Sequence, residues 1–157
     1  MARPARAILI GIDEYPEDFP TLDSAVQDAT AMENLLKNDL GMTEGITLLT
    51  NSKATRSQIV DTILSLEQDK SLKRGEPILI FFSGLAANGA PEGSAETVKI
   101  GSICPADVDK AGGISDEALL QLLDRVVRTC GNNIVSRHYQ VAFTRRHSNS
   151  PSMRLYS

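Results

Sequence analysis

The chain has 157 residues, 41% of them hydrophobic and 4% aromatic, with a formal net charge of −4. That is the length of one ordinary domain, enough to bury a core. No apolar run approaches the roughly 18 residues of a membrane span, and the acidic balance argues against nucleic acid as a partner. The first 30 residues carry Asp and Glu and show no signal-peptide pattern, and two cysteines are too few for a disulfide framework. Together these features imply a reduced, cytoplasmic setting. The charge is unevenly spread. Twelve basic against twenty acidic residues give −8 for residues 1–135, whereas four arginines and no acid give +4 for residues 136–157. Both histidines, His138 and His147, lie in that second stretch.

Ala7–Ile12 is an unbroken apolar run, as in a strand buried on both faces of a parallel sheet. Asp13, Glu14, Tyr15 and Pro16 break it. A helix follows from Asp23, with Ala25, Ala29, Met32 and Leu36 on one face, Val26 and Leu35 widening it, and Gly41 stopping it. Ile46–Leu49 is a second strand and Asn51–Ala54 a turn. Thr55 and Gln58 have capping-box spacing, ahead of a helix with Ile59, Ile63 and Leu66 on one face. Ile78–Phe82 is the strongest buried-strand signal. Gly84–Ser94 reads as a small-residue loop and Val98–Ile103 as a strand. Ser115 suits an N-cap, with Asp116 and Glu117 in the first turn of a helix that buries Leu119, Leu122, Leu123, Val126 and Val127 and ends at Gly131. Asn133, Ile134 and Val135 begin one more strand. This order predicts an α/β fold, a mostly parallel sheet with helices on both faces. From Ser136 no period is evident, so residues 136–157 are expected to be a basic, disordered tail.

Chemistry in such sheets gathers beyond the carboxyl ends of the strands. Gly84 and Gly89 have the spacing of a phosphate loop, but Ala90 and Pro91 stand where it needs Lys and Ser or Thr. Asp107–Gly112 begins like a calcium loop, yet Ala111 and Ala118 occupy ligand positions. Cys104 and Cys130 lack a neighbouring base, and Cys130 ends a helix, where an anion is disfavoured. The sequence offers no catalytic residue.

Five segments in order and spacing resemble the caspase-like domain of fungal metacaspases, a family of cysteine endopeptidases. They are Ala7–Tyr15, Leu22–Ala29, Asn51–Thr55, Ile80–Gly84 and Ile114–Glu117. The resemblance covers residues 5 to about 135 and implies a caspase-like three-layer fold. It implies proteolysis after Arg or Lys, in programmed cell death or stress. The family's base lies in a Ser-Gly-His-Gly motif, which here reads Ser83-Gly84-Leu85-Ala86, so Leu85 replaces the histidine. Its nucleophile lies in an Asp-x-Cys-His-Ser-Gly motif after the next strand, and no cysteine follows Cys130. The resemblance thus implies a partial domain, residues 1–135, cut before its nucleophile and inactive. It also implies a residual pocket for a basic side chain at Asp28 and Ser83, and calcium at Asp116 and Glu117. Asp28 equally suits a solvated helix position. The partners implied are a protein or peptide with basic residues, or a metacaspase paralogue, with no nucleic acid and no membrane. A further alternative is a gene product without an independent role.

Overall fold

The computed structural model describes residues 3–87, 102–144 and 152–155. The strands are β1 (Arg6–Gly11), β2 (Ile46–Thr50), β3 (Ile78–Ala87), β4 (Ser102–Ile103), β5 (Ile114–Ser115), β6 (Ile134–Thr144) and β7 (Ser152–Leu155). The helices are α1 (Ala25–Asn38), α2 (Arg56–Ser65), α3 (Val108–Ala111) and α4 (Asp116–Cys130). One sheet contains all seven strands. β1 lies parallel to both β2 and β3, and β6 runs parallel to the other edge of β3. β7 folds back antiparallel onto β6. β1 leaves β3 at the Gly11–Ser83 pair, and β4 takes the same edge, antiparallel, at Ala86 and Ala87. β5 then pairs with β4.

The apolar runs separate two cores by alternation. On one face Ile8, Ile10, Ile12, Ile78, Ile80 and Phe82 pack with Ile59 and Ile63 of α2 and Leu119 and Val126 of α4. On the other, Ala7, Leu9, Leu79 and Phe81 pack with Ala29 and Leu36 of α1. A strand with a helix layer on each side has no polar face, which is why all of β3 is apolar or small and buried. Each fully buried Leu, Ile or Phe contributes about 1.5–3 kcal/mol. Gly11 lets α1 close on the sheet, because a Cβ there would stand 2.6 Å from the Ala25 carbonyl oxygen.

Three expectations need correction. Leu35 does not widen the buried face of α1, for it is 41% exposed on the far side of the helix. Gly84 is not the start of a loop: β3 continues to Ala87, because β4 and β6 offer hydrogen-bonding edges on both sides. Nor does the sheet stop at Val135. β6 runs unbroken to Thr144 beside the whole of β3, from Ile78–Ile134 to Ala87–Phe143. Residues 134–144 are rich in β-branched and aromatic types, and the buried edge of β3 needs a partner for its amides and carbonyls. β6 thus crosses residue 135, and β7 lies beyond it at Ser152–Leu155. The expected strand from Val98 and the rest of the Gly84–Ser94 loop lie outside the described residues, apart from Ser102–Ile103 in β4.

Candidate functional site

The carboxyl ends of β1 and β3 meet the start of α1, and two residues singled out from sequence come together there. Ser83 Oγ donates to Asp28 Oδ2 at 2.9 Å. Ser83 is 3% exposed, whereas Asp28 is exposed in the first turn of α1. Alternation along β3 turns Ser83 toward the α1 face, where Leu79 and Phe81 also point. The other oxygen of Asp28 has no hydrogen-bond partner among the described residues, so the carboxylate is oriented from below and open from outside.

α1 itself is held by a residue that sequence reasoning did not single out. Ser24 precedes the helix but makes no side-chain cap. Asp13 does the capping from 12 residues away: its Oδ1 accepts from the Ala25 amide at 2.7 Å and its Oδ2 from the Val26 amide at 3.2 Å. A carboxylate at a helix N-terminus satisfies orphan amides and complements the dipole. Asn51, with φ +44°, turns its Oδ1 toward the amides of Asp13 and Glu14, at 2.9 and 3.2 Å. The signal in the sequence was an Asp just after a buried strand, with a helix start nearby.

Leu85 lies two residues beyond Ser83 and is 0% exposed. Its side chain belongs to a third apolar cluster with Phe19, Cys104 and Val108, flanked by Tyr15 and Leu22. A leucine cannot carry a proton, and this one does not face solvent. Its backbone amide donates to the Tyr15 hydroxyl at 2.9 Å, and that hydroxyl donates to the Cys104 carbonyl at 3.1 Å. Burial pushes the Tyr15 hydroxyl well above the usual phenol range, against the opposing effect of the Leu85 amide. The residues of β6 in register with Ser83–Ala87 are Tyr139, Gln140, Val141, Ala142 and Phe143.

The cysteines do not substitute. Cys104 is 0% exposed, and burial pushes its thiol up to about 12, far from a thiolate. Cys130 is half-buried, its Sγ faces the Leu66 carbonyl oxygen at 3.4 Å, and burial followed by the charges of Glu67 and Asp69 raises its thiol as well. Asp116 and Glu117 are exposed in the first turn of α4 behind the Ser115 cap, whose Oγ accepts from the Ala118 amide at 3.1 Å. Calcium takes about six to eight oxygen ligands. Among the described residues no group of three His, Cys, Asp or Glu side chains is placed to hold a metal ion. Asp107 instead serves the backbone, where its Oδ1 accepts from the Arg56 amide at 2.8 Å, at the start of α2.

A large hollow of about 760 Å³ lies elsewhere, at the amino ends of the strands. Arg3, Arg6 and Lys73 balance Glu44, Asp69 and Glu76 around it, and Arg6 is held by Asp69 and Ser71. It shares no residue with the Asp28–Ser83 pair. No helix among the described residues is long and apolar enough to cross a membrane.

Comparison with known proteins agrees with this architecture. The protein GSU0716 from Geobacter sulfurreducens has a crystal structure that matches with a TM-score of 0.62 at 20% identity. The match covers 86% of this chain and 49% of that one, so the chain spans about half the length of this neighbour. At that identity the likeness speaks for a shared fold alone. No curated protein matches the sequence. The family model for the metacaspase, peptidase C14 domain, matches residues 5–136, which contain Asp28, Ser83, Leu85, Asp116 and Glu117. The chain therefore belongs to the metacaspase peptidase C14 family.

Proposed function

We propose that this chain is a metacaspase-family domain that holds the arginine or lysine side chains of peptides without cutting beside them. The observation that carries the reading is the Asp28–Ser83 hydrogen bond next to a base position filled by buried Leu85. An oriented carboxylate with one oxygen unbonded among the described residues suits a guanidinium or ammonium, since charge-assisted hydrogen bonds are the strong ones. The surroundings favour the same ligand charge. Between Arg6 and Lys37 the chain carries seven acidic residues and no Lys or Arg. Acyl transfer needs a nucleophile and a base, and neither is available from Leu85, Cys104 or Cys130. The family's part in cell death or stress proteolysis would then become, here, retention of basic segments. The two free thiols accord with a reducing, cytoplasmic location.

The test pairs binding with turnover. A labelled Arg-ended peptide should bind the full chain saturably, and Asp28→Asn should weaken it about tenfold through loss of the charge-assisted contact. Fluorogenic Arg- and Lys-ended peptides should give no release that a thiol alkylator abolishes, with or without added calcium. Equal binding by Asp28→Asn would remove the pocket, and alkylator-sensitive turnover would remove the inactivity. A second reading is favoured by one feature: β2 pairs only with β1 among the described strands, leaving an edge on which another chain could add a strand. Pairing with an active metacaspase paralogue would appear as co-purification from cells that express both.

A further inference from the structure

The Asp28–Ser83 pair joins a helix to a strand, and neither element fixes it alone. Asp28 is where it is because α1 starts where it does. Ser83 is where it is because β3 keeps its course past the point at which β1 leaves. Both conditions trace to residues 12–15. The Ile12 amide donates to the Ser83 carbonyl at 3.0 Å, the last backbone bond between the β1 segment and β3. Asp13 then takes the first two amides of α1, one turn before Asp28. Tyr15 reaches over and accepts from the Leu85 amide, two residues beyond Ser83. Gly84 permits this approach, since a Cβ there would stand 2.6 Å from the Tyr15 hydroxyl oxygen. The same hydroxyl donates to Cys104, whose own amide bonds the Leu85 carbonyl at 2.9 Å, so β3 is tied to β4 at the seam. Asn51 holds the turn from below through the amides of Asp13 and Glu14.

We propose that residues 12–15 form a clamp that sets the geometry of the Asp28–Ser83 pair, with Asp13 and Tyr15 as positioning residues on its two arms. Asp13 fixes the helix that carries the carboxylate. Tyr15 fixes the strand that carries the hydroxyl. Their alignment is thus a property of one short segment rather than of the two elements separately. The ligand-binding consequence rests on the reading of the pair as a site for basic side chains; the geometric claim does not.

The experiment is a double-mutant cycle on the full chain, Asp28→Asn against Ser83→Ala, followed by urea unfolding. It is run in the wild-type background and again in Tyr15→Phe. In the wild type the two substitutions should be non-additive, because the residues share a hydrogen bond. In Tyr15→Phe that non-additivity should fall by about half or more, an effect that a general loss of stability does not produce. If Tyr15→Phe does not fold, Asn51→Gly takes its place: it tolerates the positive φ and removes only the side-chain acceptor that holds the turn. Undiminished coupling in the replacement background would overturn the clamp. Peptide binding supplies the second readout. Tyr15→Phe should weaken the Arg-ended peptide by about fivefold or more, while Ile63→Val, a core change remote from the pair, should leave it unchanged. Equal binding by wild type and Tyr15→Phe would count against the clamp. If the wild type binds no basic peptide but the coupling still collapses in Tyr15→Phe, the clamp stands and the binding function falls.

Discussion

Replacing Leu85 by histidine would return to the chain the residue type its family uses as base. The surroundings decide the outcome. The leucine is 0% exposed and packs with Phe19, Cys104 and Val108. An imidazole in that cluster loses part of the apolar burial, about 1–2 kcal/mol of the 1.5–3 kcal/mol a buried leucine contributes. It also brings two ring nitrogens, and a buried polar atom without a partner costs about 1–3 kcal/mol. The expected loss is about 2–5 kcal/mol, a large part of the roughly 5–15 kcal/mol that holds an ordinary domain folded. The effect should depend on pH. Burial disfavours the charged imidazole, so its folded pKa would lie below the unfolded value of about 6.5. A group depressed in this way keeps its share of stability above the unfolded pKa and loses it as pH falls. Leu85→His should therefore be weaker at pH 5 than at pH 8 by more than the wild type is. Urea unfolding followed by circular dichroism at the two pH values measures this, and fluorogenic Arg-ended peptides report turnover. Alkylator-sensitive cleavage by the variant, or stability equal to wild type at both pH values, would refute the reasoning.

Ser115→Ala removes the cap of α4 and should cost about 1 kcal/mol in the same unfolding assay, since the Ala118 amide loses its acceptor. Iodoacetamide should label Cys130 before Cys104 in the folded chain, and Cys104 only after denaturant is added, because its thiol is fully buried and shifted up; peptide mass spectrometry reads the order. Hydrogen bonds from Arg6 and Ser71 hold the Asp69 carboxyl well below its usual range. Its contribution is present above the unfolded carboxylate pKa, about 3.9, and is lost as pH falls through the lower folded value. Arg6→Gln should accordingly lower stability at pH 7 and flatten the acid limb of the stability profile, and an unchanged limb would remove Asp69 as its source.

What the sequence revealed was mostly what neighbours along the chain decide. The apolar runs of β1 and β3, the caps at Thr55 and Ser115, and the left-handed stop at Gly131 all depend on residues a few positions apart. The pairing of Asp28 with Ser83 was approached through family motifs, and the structure places the two in contact across 55 residues. The roles of Asp13, Tyr15 and Asn51 were hidden because each acts on backbone far away in sequence. β6 escaped notice for a different reason. Its continuation past Val135 carries polar residues among the apolar ones, and the deciding influence is the waiting edge of β3.

At the seam where β1 has left β3 and β4 has not yet begun, the Leu85 amide is bonded to a side-chain hydroxyl instead of a ladder carbonyl. Its deuterium uptake should therefore follow excursions of the Tyr15 loop, while the Phe81 and Phe82 amides a few residues earlier exchange only with the sheet as a whole. A single backbone proton would then serve as a clock for the opening of this end of the molecule, read without any ligand.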